Sequence, residues 1–124
     1  MIDFQNSSVF KLKSISNNAY AEIISPIFVN GEEIISSYQG MRDGVVLTNK
    51  RILAINIKGV TGKKKDISSL PYSKVQAFSI ETAGVMDLDS ELEIWFSGLG
   101  SVKFEFTKDS NVSQIGRIIS EYVL

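Results

Sequence analysis

Cysteine and histidine are both absent from this 124-residue chain, and proline occurs only twice. Without cysteine there is no disulfide, no thiol nucleophile and no thiolate metal ligand. Without histidine the commonest general base near neutral pH and the commonest transition-metal ligand are missing. Carboxylate, lysine and hydroxyl chemistry remain, but with these two absences together the expectation is a protein that is not an enzyme and holds no cofactor and no metal. No sign of charge dominates either, with 13 basic and 14 acidic residues and a net charge of −1. Nucleic acid is therefore not an expected partner, because neutralising its phosphates requires a net basic face. Apolar runs are a few residues long, far below the ~20 that cross a bilayer as a helix. The start, Met1-Ile2-Asp3-Phe4-Gln5-Asn6, lacks the basic and apolar regions of a secretory signal. The expectation is a soluble cytoplasmic protein.

The composition is ordinary for a globular chain, 44% apolar and 22% charged, and the length suits a single domain over residues 1–124. Residues 1–30 read as an irregular lead-in, docked by Phe4, Val9, Phe10 and Leu12. A short helix is expected from Asn18 as cap to Ile24, stopped by the restriction that Pro26 places on Ser25. From 31 to 107 the pattern is that of strands. Segments starting near Ile34, Val45, Arg51, Lys64 and Lys74 are separated by Asp43-Gly44, Asn49-Lys50, the Gly59 to Gly62 turn and Pro71. The cleanest alternation follows, with Met86, Leu88, Ser90, Leu92, Ile94 and Phe96 on one parity and Asp87, Asp89, Glu91, Glu93 and Trp95 on the other. Val102, Phe104 and Phe106 mark a last strand. Over 111–124 the period changes to 3.6, with Val112, Ile115, Ile118, Ile119, Tyr122 and Val123 on one stripe behind an Asn111/Gln114 cap signal. About seven strands and a terminal amphipathic helix predict a mainly β fold, an antiparallel barrel with the helix over one open end.

That order of elements, and particular residues with it, resembles the bacterial PH-domain family, related in fold to eukaryotic pleckstrin-homology domains. The residues that carry the resemblance are Leu47-Thr48-Asn49-Lys50-Arg51, Lys58-Gly59 with Thr61-Gly62-Lys63-Lys64, and Leu70-Pro71-Tyr72. They continue with Phe78-Ser79-Ile80-Glu81-Thr82-Ala83-Gly84 and Asp87-Leu88-Asp89-Ser90-Glu91-Leu92-Glu93-Ile94-Trp95. Together they cover about two-thirds of the chain. Val85-Met86 stands where relatives would carry His-Phe, so a role for that histidine does not transfer. The resemblance implies a PH-like seven-stranded barrel with a C-terminal α-helix and assembly into a closed cyclic homo-oligomer, with five-fold symmetry as the working expectation. It also implies a protein-interaction role and no known catalysis.

Several surface features are candidates for that role. Asp87, Asp89, Glu91 and Glu93 fall on one strand parity, roughly 6.5–7 Å apart. They read either as a docking surface for a partner or neighbouring subunit, or as the solvated side of an amphipathic strand. Trp95 lies on the same polar parity, which suggests an interface; alternatively it packs on the stem of Lys103 across the last hairpin. Thr48, Asn49, Lys50 and Arg51 read as a partner contact alongside Glu81 and Thr82, or as turn chemistry. Tyr72 reads as a packed corner. Lys58, Lys63, Lys64 and Lys65 form a basic turn that would bind an anionic phospholipid or phosphoinositide only weakly, at about 1 kcal/mol per lysine, or would simply guard a sheet edge. Gly59 to Lys64 lacks the spacing of a nucleotide-binding phosphate loop. The leading expectation is a self-assembling scaffold with an unidentified protein partner; the alternative is the lipid-binding module.

Overall fold

The computed structural model describes residues 1–5, 8–108 and 110–124, with the backbone alone at 8–10. Eight strands precede the terminal helix: β1 (Ser8–Ile15), β2 (Ile34–Gln39), β3 (Asp43–Thr48), β4 (Arg51–Lys58), β5 (Lys64–Pro71), β6 (Val75–Glu81), β7 (Ser90–Phe96) and β8 (Gly100–Phe106). Helix α1 (Ala21–Ile24) lies between β1 and β2, and α2 (Val112–Val123) follows β8. The strands form one hydrogen-bonded sheet in the order β5-β4-β3-β2-β1-β8-β7-β6. Neighbours are antiparallel except β1 and β8, which run parallel.

Two expectations change here. The lead-in contains a full strand, β1, which joins the β2–β5 and β6–β8 halves of the sheet. The strand count is therefore eight rather than seven. The ladder also stays open: among the described residues no strand pairs with the free side of β5 or of β6. A short 3-10 turn, Tyr72–Lys74, carries the chain between those ends, and α2 packs against that turn, β6 and β7.

The principal core lies between the halves of the sheet and α2. It includes Leu12, Val45, Leu47, Ile52, Leu92, Ile94, Phe104, Phe106, Ile115 and Ile119. A second cluster forms on the other face of β3 and β4, where Tyr20 and Ile24 cover Val46, Leu53 and Ile55. Burial on both faces explains why Val45-Val46-Leu47 and Ile52-Leu53-Ala54-Ile55 are continuously apolar instead of alternating. Gly44 permits this cover, because a Cβ there would overlap the Tyr20 ring. Tyr20 itself stands at the N-terminal boundary of α1, where no side chain caps the helix, so Asn18 is not the cap. The chain does leave α-helical geometry at Ser25, entering a 3-10 turn that accommodates Pro26. At the other end the expected cap forms: Asn111 Oδ1 accepts from the Gln114 N–H at 3.1 Å.

Candidate functional site

The β3–β4 turn is tied to the segment before β2 by a buried ion pair. The Glu32 side chain is 0% exposed, and Arg51 grips it with Nε on Oε2 at 2.9 Å and Nη2 on Oε1 at 2.9 Å. Thr48 Oγ1 donates to Glu32 Oε2 at 2.8 Å, and the Val29 N–H donates to Oε1 at 3.2 Å. Arg51 also donates to the Ile27 carbonyl at 2.7 Å and to Ser69 Oγ at 3.1 Å. Asn49 bonds Gly31 and Glu33 through its side chain. Tyr72 is buried and donates its hydroxyl to the Thr48 carbonyl at 2.8 Å, the packed corner its sequence position suggested. Burial, chiefly, pushes its phenol up, with Tyr122 stacked on it at 5.3 Å adding to the effect. Thr48, Asn49 and Arg51 are thus committed inside the molecule, leaving Lys50 as the exposed member of that group. Among the described residues their side-chain hydrogen bonds outside the turn go to Gly31, Glu32, Glu33, Ile27 and Ser69, and Glu81 and Thr82 are not among those partners. Glu32, the centre of the arrangement, carries no signal in the local sequence beyond the Asn30-Gly31 turn before it.

The outward side of β6, β7 and β8 is built of three cross-strand rows. Ala77 pairs with Trp95 and Trp95 with Ser101; Ser79 pairs with Glu93 and Glu93 with Lys103; Glu81 pairs with Glu91 and Glu91 with Glu105. Leu92, Ile94, Phe96, Val102, Phe104 and Phe106 point the other way into the core. Trp95 is 36% exposed and sits opposite Ser101. Lys103 lies in the next row, with Nζ 3.9 Å from Glu91, so it is not the direct cross-strand neighbour of the indole. Glu93 accepts from Ser101 Oγ at 2.9 Å. Three glutamates side by side repel one another. Burial first, then a hydrogen bond and the charge of Glu91, raise the Glu105 carboxyl above its ordinary range.

The acidic ladder is shorter than its alternation implies. Residues 82–89 form a loop, so Asp87 and Asp89 precede β7 instead of standing on it. Gly84 N–H donates to the Asp87 carbonyl at 2.7 Å and Asp89 N–H to Asp87 Oδ1 at 3.1 Å, which closes the loop on itself. Lys11 Nζ pairs with Asp89 at 2.7 Å, and that bond raises the Lys11 ammonium above its ordinary value. Met86 and Leu88 consequently leave the core face; Met86 is 97% exposed. The lysines of the β4–β5 turn are partly engaged as well. Lys58 pairs with Asp66 at 3.3 Å, and Asp66 also holds the Met1 amine. Lys65 donates to the carbonyls of Gly62 and Lys63. The exposed Lys63 and Lys64 remain at the tip.

A strongly β-rich sheet whose core is closed on one side by a C-terminal helix packed against β6, β7 and the turn before them defines a PH-like domain. The chain belongs to the bacterial PH-domain family: the model of that family, described as "Bacterial PH domain", matches residues 3–123. Two Bacillus subtilis relatives are called uncharacterized, YjqA at 38% identity (86% of this chain, 87% of the relative) and YozO at 31% (89% and 95%). Among solved structures, a pleckstrin-homology protein of Shewanella loihica superposes with a TM-score of 0.80 at 35% identity, covering 92% of this chain and 98% of that one. A pleckstrin-homology domain from Shewanella amazonensis gives 0.69 at 37%, covering 89% and 90%. Among the described residues no helix is long and apolar enough to cross a membrane.

Proposed function

We propose that the chain is a non-enzymatic interaction module that self-assembles into a cyclic homo-oligomer through the β6–β8 side of its sheet and offers its remaining polar surface to a protein partner. The observation that carries this reading is the difference between the two open ends of the ladder. Exposed strand edges are normally guarded by charges or proline, and lysine above all. β5 has Lys64, Lys65, Asp66 and Pro71; β6 reads Val75-Gln76-Ala77-Phe78-Ser79-Ile80-Glu81, with neither lysine nor proline. Trp95 lies beside Ala77 on that less guarded side, where Glu81 is the one charge in β6. Ring closure requires a heterologous contact, so this surface would meet a different one on the next copy. The carboxylates of the same region lie on an outward sheet face and a loop, which supports binding over catalysis.

Light scattering at micromolar concentration tests the reading. The expected mass is a multiple of 13.7 kDa, and Trp95→Ala should weaken assembly more than tenfold, since a central interface tryptophan contributes about 2 kcal/mol or more. A 13.7 kDa particle at every concentration would rule the assembly out.

A further inference from the structure

We propose that the surface receiving β6 on the next copy is the free edge of β5, paired antiparallel so that the sheet continues from one molecule into its neighbour. This rests on the self-assembly proposed above and names its second half. The two edges are nearly equal in length, seven residues in β6 and eight in β5, and among the described residues both are unpaired. Such an edge carries a row of backbone donors and acceptors that another edge can satisfy.

Charge selects the direction of pairing. β5 has Lys64 and Lys65 at its start and Pro71 at its end, whereas β6 has Val75 at its start and its one charge, Glu81, at its end. Antiparallel alignment brings the lysines to Glu81, whose cross-strand neighbour Glu91 faces Glu105 in turn. Parallel alignment would set Pro71 against that carboxylate row and the lysines against Val75. The lysines thus guard β5 against a second β5 and leave it open to the acidic end of β6.

Parity fixes the register. Ala77, Ser79 and Glu81 lie on the outward face with Trp95, Glu93 and Glu91. Ile67 packs on the second cluster, so Lys65, Ile67 and Ser69 share the outer face of β5, while Leu70 points into the principal core. Setting Lys65 opposite Glu81 places Ile67 opposite Ser79 and Ser69 opposite Ala77, outer face to outer face. A slip of one residue would join outer side chains to core ones. The apolar tips agree with this register. The turn before Lys64 carries Val60, the loop after Glu81 carries Val85 and Met86, and all three are almost fully exposed. Arg42 holds the exposed Met41 beside the same turn, donating from Nη2 to the Gly59 carbonyl at 2.7 Å. Antiparallel pairing puts these tips at one end of the contact, where they can cover each other.

Light scattering and disulfide trapping of the full chain test the pairing. Lys65→Glu and Glu81→Lys should each weaken assembly about tenfold or more by setting like charges opposite one another, and both together in one chain should restore most of it. The chain has no cysteine, so Ser69→Cys and Ala77→Cys place single thiols on opposite edges. Mixed and oxidised, the two variants should form a covalent dimer, while either alone stays at 13.7 kDa on a gel without reductant. A single variant that cross-links with itself as readily as the mixture would show a two-fold contact and overturn the pairing. If the unaltered protein assembles and Trp95→Ala disrupts it, but the mixture does not cross-link and the charge reversals leave the mass unchanged, β5 is not the acceptor although self-assembly stands. A protein that is monomeric at every concentration sinks both.

Discussion

Arg51→Ala should destabilise the fold by about 3–5 kcal/mol at neutral pH, read from urea unfolding, because it strips the counter-charge from a buried carboxylate. Glu32 would keep Thr48 Oγ1 and the Val29 N–H but lose two guanidinium bonds, and the Ile27 carbonyl would lose its donor. Arg51→Lys should recover only part of the loss, since an ammonium cannot reproduce the two-pronged grip. The pH dependence has a defined sign. Burial pushes the Glu32 carboxyl up, but hydrogen bonds from Arg51, Thr48 and Val29 outweigh it and hold it below the ordinary 4.5. A lowered carboxyl contributes stability that is fully present above 4.5 and is lost as pH falls through its folded-state value. Without the guanidinium, burial raises the variant's carboxyl, so the gap between the original protein and Arg51→Ala should start to narrow above 4.5 as pH falls and stop narrowing only below the lowered folded-state value of the original. A gap that stays constant into acid would show that Arg51 acts through packing alone.

Leu12→Ala should cost about 2–5 kcal/mol, the penalty of a cavity in a closed core. Leu12 is 0% exposed in the principal core, although it belongs to a segment whose sequence reads as a loose lead-in. If residues 8–15 were a dispensable arm, truncating this side chain would shift the urea midpoint very little. A full core-sized loss identifies β1 as the strand that joins the two halves of the sheet.

The reason β1 escapes a reading of periodicity is geometric. Its pairing with β8 slips between Val9 and Leu12, and Lys11 adopts a positive φ of 58°. A register slip moves side chains between faces, so strict alternation disappears although the strand persists. The reverse error arises at Met86-Asp87-Leu88-Asp89. The alternation there is perfect, but β6 ends at Glu81 and pairs with Glu91, leaving no neighbour for the intervening residues. Period two marks a strand only where another strand lies alongside. By contrast, β2, β4, β5, β8 and α2 are legible, because turn residues lie beside them and the apolar pattern matches the buried side; β3 is legible only from Val45, since Asp43-Gly44 reads as a turn but belongs to the strand, paired with Asn56 and Ile55. Trp95 on a polar parity was legible in the same way. The Glu32–Arg51 pair was not, since its partners are 19 residues apart and only the fold brings them together.

Hydrogen exchange of the β6 amides as a function of protein concentration tests the proposed association surface most directly. Protection over Val75–Glu81 should rise as concentration increases, while β3 and the body of α2 stay unchanged. Exchange in β6 that is fast and independent of concentration would contradict a subunit contact there.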